Sequence, residues 1–471
     1  MFTGLLGVSC VSSGFAVFGR SSMVIFVGAD IEYDYVSIQE AINAAEPGGT
    51  INVKAGFYYE NVVVNKTILL LGEDEQTTII DGGGSGHVVS VEASNVVLSG
   101  FTLRNSGVGS KGNPYSGVRL VHSDECLISD NVIVDNEYGV WLSYSNDNTL
   151  SGNVVGSSDL YGVRLYLSRN NTLVGNCVVD NEYGIYVYGS SEANVVRYNN
   201  LSRNTFGLYF GLSDGNLAEG NTVVNSSLYG ITLRKSGGNF VFHNNFVGNR
   251  LQVDVFDAFV NVWDDGYPSG GNYWNDYGDV DEFYGADQNM SGSDGLGDTE
   301  YGNDVDNQDR YPLMGFFSRF DVIWNGSAYS VLTVCRSAIT GFSLVCPEAS
   351  VEIRLNVSGI KETVGFCRVS VPKVLLEDLE NGEYVVVVNG NPEIMITEME
   401  SKGEYDILYF TYVHGPFIPE FTLAFLILLF LFLTFVILLS ELQRVKSKRV
   451  MGLWADGVLY FEGSDDVGVI S

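Results

Sequence analysis

Basic residues are scarce. The chain holds 25 Lys and Arg against 57 Asp and Glu, a formal net charge of −32. Nucleic-acid backbones are held by basic stripes, so this balance argues against such a partner. It suits an exported soluble surface and, where acids cluster, divalent cations. Cysteine is scarce too: six residues, scattered and with no CxxC pair, which argues against a zinc site. Histidine is rarer still, four in 471 residues, and proline numbers only nine. What is present instead is glycine, 55 residues, with 27 Phe and 27 Tyr. That composition belongs to short strands joined by tight turns.

The glycines are spaced. Gly117, Gly139, Gly162, Gly184, Gly207 and Gly230 recur every 22 or 23 residues, each followed by Val118, Val140, Val163, Ile185, Leu208 or Ile231. Two residues further on stand Leu120, Leu142, Leu165, Val187, Phe210 and Leu233. A unit this short buries no core alone, so the copies must stack as a solenoid. Two asparagine columns share the period: Asn131, Asn153, Asn176, Asn199, Asn221, Asn244, and Asn148, Asn171, Asn194, Asn216, Asn239. Asn tolerates left-handed backbone, and its amide can bond its counterpart one coil up, about 4.8 Å away. Three turns per coil with short strands between them describe a right-handed parallel β-helix of three-strand coils. A leucine-rich repeat would need an LxxLxLxxN block that is absent.

The domain reading follows. Residues 1–28 are set apart as a degenerate or truncated signal segment, since Leu5–Phe18 is apolar but no Lys or Arg precedes it. The β-helix spans 29–253, opened by an amphipathic helix at Ser37–Ala45 that caps the solenoid's end. Residues 254–315 form an Asp-rich C-terminal cap, with 15 Asp or Glu and no Lys or Arg between Asp254 and Asp309. Residues 316–414 alternate as a small β-sandwich. Cys335–Cys346 could close a hairpin there, leaving Cys367 free. Within 417–440, Phe421–Ser440 is a 20-residue apolar run, long enough to span a bilayer as a helix. Arg444, Lys446, Lys448 and Arg449 follow, which puts the tail 441–471 in the cytoplasm and the ectodomain outside the cell. Seven sequons, at Asn65, Asn170, Asn200, Asn225, Asn289, Asn325 and Asn356, all lie on the outer side.

Several segments resemble one family. VSIQEAINAAEPGGTINVKAGFYYENVVVNKTILLLGE, TTIIDGG and VVLSGFTLRNSG look like the N-terminal cap of NosD-type β-helix proteins. The YGV/YGI and NNTLVGN repeats fit it, as do GGNYWNDY (Gly270–Tyr277), DGLGDTEY and NQDRYPLM. The cover is about residues 35–314. The segment GFCRVSVPKVLL…YFTYVHG, with FIPEF and the apolar run, resembles the module and tail that follow such helices in archaeal surface proteins. The resemblance implies a periplasmic, copper-binding relative, although many members carry only the scaffold. Copper wants His, Cys or Met converging on one point. His87, His122, His243 and His414 stand at different phases of the repeat, so no copper site is expected.

Strand alternation sends the second and fourth residues after each glycine outward. The second reads Arg119, Trp141, Arg164, Tyr186, Tyr209, Thr232; the fourth includes Tyr166, Tyr188 and Arg234. Arg119, Trp141, Arg164, Tyr166, Tyr186, Tyr188 and Tyr209 are therefore the candidate ligand-binding residues, since aromatic faces suit stacking on sugar rings. The competing account is purely structural: these are good strand formers, and Arg164 would lie between Trp141 and Tyr186. Tyr138, Tyr161, Tyr183, Phe206 and Tyr229, just before the glycines, read as a separate structural stack. For catalysis, Glu137 and Glu182 fall two coils apart, about 9–10 Å, with Asp159 between them; solvated turn residues are the plainer account. A calcium loop is matched by Asp287, Asn289, Ser291 and Asp298, with Gly292 at the sixth place, although no helices flank it. The expectation is a non-catalytic, surface-anchored protein that binds extracellular glycan or envelope partners. A polysaccharide lyase or glycoside hydrolase on the same scaffold is the rival.

Overall fold

The computed structural model describes residues 24–414, apart from 31, 111–112, 305, 346–349, 378–382, 392–393, 400 and 402, and also residues 454–455 and 458–459. The fold is all-β. Three parallel sheets of ten, nine and ten strands wind as a solenoid of about ten turns, each strand pairing with its counterpart one coil away. Two sheets are built almost wholly of three-residue strands such as Thr172–Val174 and Cys177–Val179. The third carries six-residue strands after each repeat glycine, from Ser116–Val121 to Leu251–Phe256. Val118, Leu120 and their equivalents point inward and are fully buried.

Polar ladders close the turns. Asn131 donates from its backbone N–H and its amide to Asn153 Oδ1, both at 3.1 Å, and the same pair of bonds repeats up to Asn244. The Asn148–Asn239 column does likewise. A third, mixed Asn and Ser column (Asn136, Ser158, Asn181, Asn204) went unread in the sequence because serine interrupts it. These buried amides satisfy the turn backbone, which solvent cannot reach.

Both ends of the solenoid are plugged. At the first, Ile38, Ala41 and Ile42 of the helix Ile38–Ala44 are buried. Glu60 accepts from Ile38 N and Gln39 N, while Lys66 Nζ donates to the carbonyls of Ile42, Asn43 and Ala45. Charge thus meets each helix terminus with the sign its dipole favours. Val24–Val27 pairs with Gly49–Val53 as the outermost strand, so part of the segment set apart as 1–28 belongs to the fold. At the far end, Tyr273–Trp274 extends one sheet, and Trp274 stacks between Phe246 (4.5 Å) and Tyr301 (4.5 Å). The solenoid therefore runs past residue 253, where the glycine period stops but the strand Leu251–Phe256 continues.

The terminal motifs end the ladders. Asn244 bonds to Asn272 of GGNYW, and Asn272 N donates to the carboxylate of Asp309 at 2.7 Å. Asp309 also accepts from Trp274 Nε1 at 2.9 Å and Tyr311 N at 3.2 Å. Gly271 leaves room for that carboxylate, which a Cβ would strike. Burial pushes Asp309 up to about 7 against the pull of these hydrogen bonds. The other column passes from Asn239 through Asn261 to Asn307.

Residues 316–413 form a five-stranded antiparallel sheet and a three-stranded mixed sheet whose apolar residues share one core. Cys335 faces Cys367 in the register of adjacent strands and is disulfide-bonded to it, which replaces the expected Cys335–Cys346 closure. Cross-strand neighbours already sit within disulfide reach, at a Cα separation of 4.3 Å. Cys346 lies outside the described residues. This module is fixed to the solenoid: Asn245 exchanges two hydrogen bonds with the backbone of Phe317, and the buried Arg368 donates to the carbonyls of Asp294 and Pro268. A second unit, residues 415–471, shows only the pairing of Trp454–Ala455 with Val458–Leu459. Among the described residues no helix is long and apolar enough to cross a membrane. The run Phe421–Ser440 lies outside them.

Candidate functional site

The six-residue strands present one outer face. Their register aligns Arg119, Trp141, Arg164, Tyr186, Tyr209 and Thr232 in a single column, with Val121, Ser143, Tyr166, Tyr188, Gly211 and Arg234 beside it. This is the placement that alternation predicts. The rings that precede the glycines do not stand apart, however. Gly139 faces inward, where a Cβ would strike Val155 and the carbonyl of Gly162. Alternation breaks at that position, and Tyr138 stands on the same outer face as Trp141, 6.1 Å away. Tyr161 lies 4.7 Å from Tyr186, and Tyr183 lies 5.1 Å from Tyr186 and 4.6 Å from Phe206. The two aromatic columns are one surface. Strict alternation misses this because the glycine interrupts it.

The surface is tightly self-contacting. Trp141 is 8% exposed and Tyr209 9%. Tyr186 stacks on Tyr209 (4.7 Å) and on Tyr188 (5.4 Å), and Gly211 gives those rings space that a Cβ would take. Arg119 lies over Trp141 at 5.2 Å; Arg164 lies over Tyr138, Trp141, Tyr161 and Tyr166 at 5.3–5.7 Å. Besides Tyr138 and Trp141 of the coil below, its rings are Tyr161 and Tyr166 of its own strand rather than Tyr186 of the next. Burial raises the hydroxyls of Tyr138, Tyr161, Tyr186 and Tyr209, and that of Tyr183 to about 12, so the face offers neutral phenols near pH 7. His87 borders Trp141 and Tyr115, a neighbour the sequence did not single out. Burial and then Arg119 hold it down at about 4, so it stays neutral as well. Its Nδ1 accepts from Ser116 N at 3.1 Å.

The carboxylates are arranged differently. Glu137 accepts from Gly109 N and Tyr115 N, both at 2.7 Å, and so fastens the long loop that precedes Ser116–Val121. Asp159 and Glu182 are exposed turn residues. Glu137 thus anchors the loop, whereas Glu182 is bonded to no such segment among the hydrogen bonds of the described residues.

The family described as "Periplasmic copper-binding protein (NosD)" matches residues 42–279, half of the chain. The chain belongs to the NosD family. No curated protein matches it. Among solved structures it is similar to an alginate lyase from Paenibacillus sp. str. FPU-7 (14% identity, 46% of this chain and 94% of that one, TM-score 0.34). It is also similar to the A-module of the Azotobacter vinelandii mannuronan C-5 epimerase AlgE4 (16%, 48% and 90%, 0.31). A third is the GH136 lacto-N-biosidase from Eubacterium ramulus (11%, 51% and 67%, 0.33). None of these likenesses is close enough to transfer an activity.

The NosD description raises copper, and the donor set of this member does not fit it. His122 stacks on Tyr144, His243 on Phe317, and His414 bonds to Ser337 at 2.7 Å, each in its own part of the fold. Cys126 is buried with its thiol pushed up to about 11, far from the thiolate a metal takes. Among the described residues no three His, Cys, Asp or Glu gather where they could hold a metal ion. In the calcium-like spacing, Met290–Ser291 pairs with Phe283–Tyr284 as a hairpin, and Asp298 accepts from Glu282 N and Phe283 N across it. Its twelfth-place carboxylate therefore serves the backbone of the hairpin. Sequence spacing alone cannot distinguish these outcomes.

Proposed function

We propose that this NosD-family protein is a non-catalytic, surface-anchored glycan binder. Its right-handed solenoid would hold an extracellular polysaccharide along the face of Trp141, Tyr161, Tyr186 and Tyr209. A single observation carries this reading: rings and guanidiniums from five successive coils form one continuous outer surface. Aromatic faces stack on sugar rings, and coils about 4.8 Å apart repeat the platform along a chain. In the same reading Phe421–Ser440 anchors the protein in the cell membrane as a single pass, with the short basic-flanked tail in the cytoplasm.

The test is retention of the full chain on a panel of neutral and acidic polysaccharides. Trp141→Ala and Tyr186→Ala should each lose retention while still melting cooperatively. Unchanged retention in both would refute the face as the site. The rival, a lyase or hydrolase, requires release of unsaturated uronates or reducing ends that Glu182→Gln abolishes. Anchoring is tested by protease treatment of intact cells, where an ectodomain that stays protected would rule it out.

A further inference from the structure

We infer that the face selects an acidic polysaccharide, one that carries carboxylates along its length, and that Arg119 and Arg164 are the residues that recognise them. This rests on the reading of the face as a glycan site.

Charge is the first ground. In a chain of net −32, the ion pairs among the described residues engage Arg104, Arg169, Arg203, Arg310, Arg319 and Arg354, but neither Arg119 nor Arg164. Glu137, the residue before Tyr138, directs its Oε2 to two backbone N–H groups. Two guanidiniums thus lie on rings with no counter-charge, although acids outnumber bases more than twofold.

Unmet donors are the second ground. Arg119 Nε, Trp141 Nε1 and Arg164 Nε are shielded from solvent with no protein acceptor, and Trp141 itself is nine-tenths buried. They come from three successive coils in register. Buried polar groups in folded proteins almost always find partners, so a row of three without them marks this face as short of acceptors, and a ligand would meet the part of each guanidinium that stays exposed. The guanidinium fork matches the planar carboxylate, and both Arg residues keep partial exposure.

Spacing is the third. Arg119 and Arg164 stand two coils apart, about 9–10 Å, which is the reach of a disaccharide repeat. Beyond them Tyr161, Tyr166, Tyr186 and Tyr209 continue the platform for sugar rings.

The experiment is affinity electrophoresis of the detergent-solubilised full chain through gels holding polygalacturonate, carboxyl-reduced polygalacturonate, dextran sulfate or neutral dextran. Polygalacturonate should retard the protein, and carboxyl reduction of that same polymer should weaken retention at least tenfold. Arg119→Gln and Arg164→Gln should each do the same at unchanged melting temperature, with partial recovery in Arg164→Lys. Equal retention by the native and carboxyl-reduced polymers would overturn the inference yet leave glycan binding intact. Equal retention by dextran sulfate would overturn carboxylate recognition in favour of bulk charge. No retention by any polymer would overturn the glycan reading itself. The polymer comparison needs no variant, so a variant that misfolds leaves the outcome decided.

Discussion

Two columns climb the same coils of this protein, and they treat their polar atoms in opposite ways. In the asparagine ladders every buried amide donates and accepts, coil after coil, at 2.9–3.1 Å. On the outer face, Arg119, Trp141 and Arg164 leave donors without acceptors. Both columns have the same period, but the ladders run through the turns that flank the short strands, and the outer column runs along the six-residue strands. The difference is that one column is complete within the chain, while the other is complete in shape and incomplete in hydrogen bonding. A saturated ladder explains itself as structure. The unsaturated one is the ground for the glycan site proposed above.

The comparison can be broken most severely at the ladder. Asn199→Ala should cost on the order of 3–5 kcal/mol, because Asn176 N, its amide and the carbonyl of Leu173 lose partners in the core. Urea unfolding would measure it, and a loss below about 1 kcal/mol would show that the ladder relaxes.

At the ladder's end, Asp309→Ala should cost about 2–4 kcal/mol for the donors of Asn272, Trp274 and Tyr311. The same residue sets a pH dependence. Its folded pKa is raised above the ordinary carboxylate value, so the native state binds the proton more tightly than the unfolded chain. Its contribution to stability is full at pH values below about 4 and falls as pH rises to about 7. Asp309→Asn should flatten that slope in melts taken from pH 4 to 8.

Glu137→Gln should cost about 1–2 kcal/mol, through the loop bonded at Gly109 and Tyr115. Glu182→Gln, at an exposed turn, should change stability by less than about 0.5 kcal/mol. Equal effects would return the two glutamates to a shared role. The smallest stability effect on the face should be that of Arg164→Gln: the loss of about 1 kcal/mol of cation–π attraction is offset by removing a shielded, unpaired Nε–H. If that variant were as destabilised as Asn199→Ala, the outer column would be structural like the inner one.

Much of this was readable in advance. The glycine period, both main asparagine columns and the outward register of Arg119 through Tyr209 follow from a repeat of 22 or 23 residues and strand alternation. Other features were not readable. Tyr138, Tyr161 and Tyr183 joined the face because Gly139 and its equivalents face inward beside an inward Val or Ile, which breaks the alternation. GGNYW and NQDRYPLM were legible as motifs but not as ladder ends, since Asn272 and Asp309 are 37 residues apart. The Asp287–Asp298 spacing matched a calcium loop but did not reveal that the Asp298 carboxylate accepts from the backbone of a hairpin.

The sequence by itself determined the solenoid. Its repeat leaves each unit unable to bury its apolar residues except against a copy of itself, so local pattern and global fold coincide. Only the tertiary structure decided what each polar side chain is for. Asn272, Glu137, Asp298 and Arg164 are alike in carrying strong hydrogen-bonding groups. Three of them meet hydrogen-bond partners brought from other coils or strands, whereas Arg164 lies over aromatic rings and its Nε finds no acceptor. Stacking brings distant residues within about 3 Å or fails to, and spacing along a sequence carries no record of which.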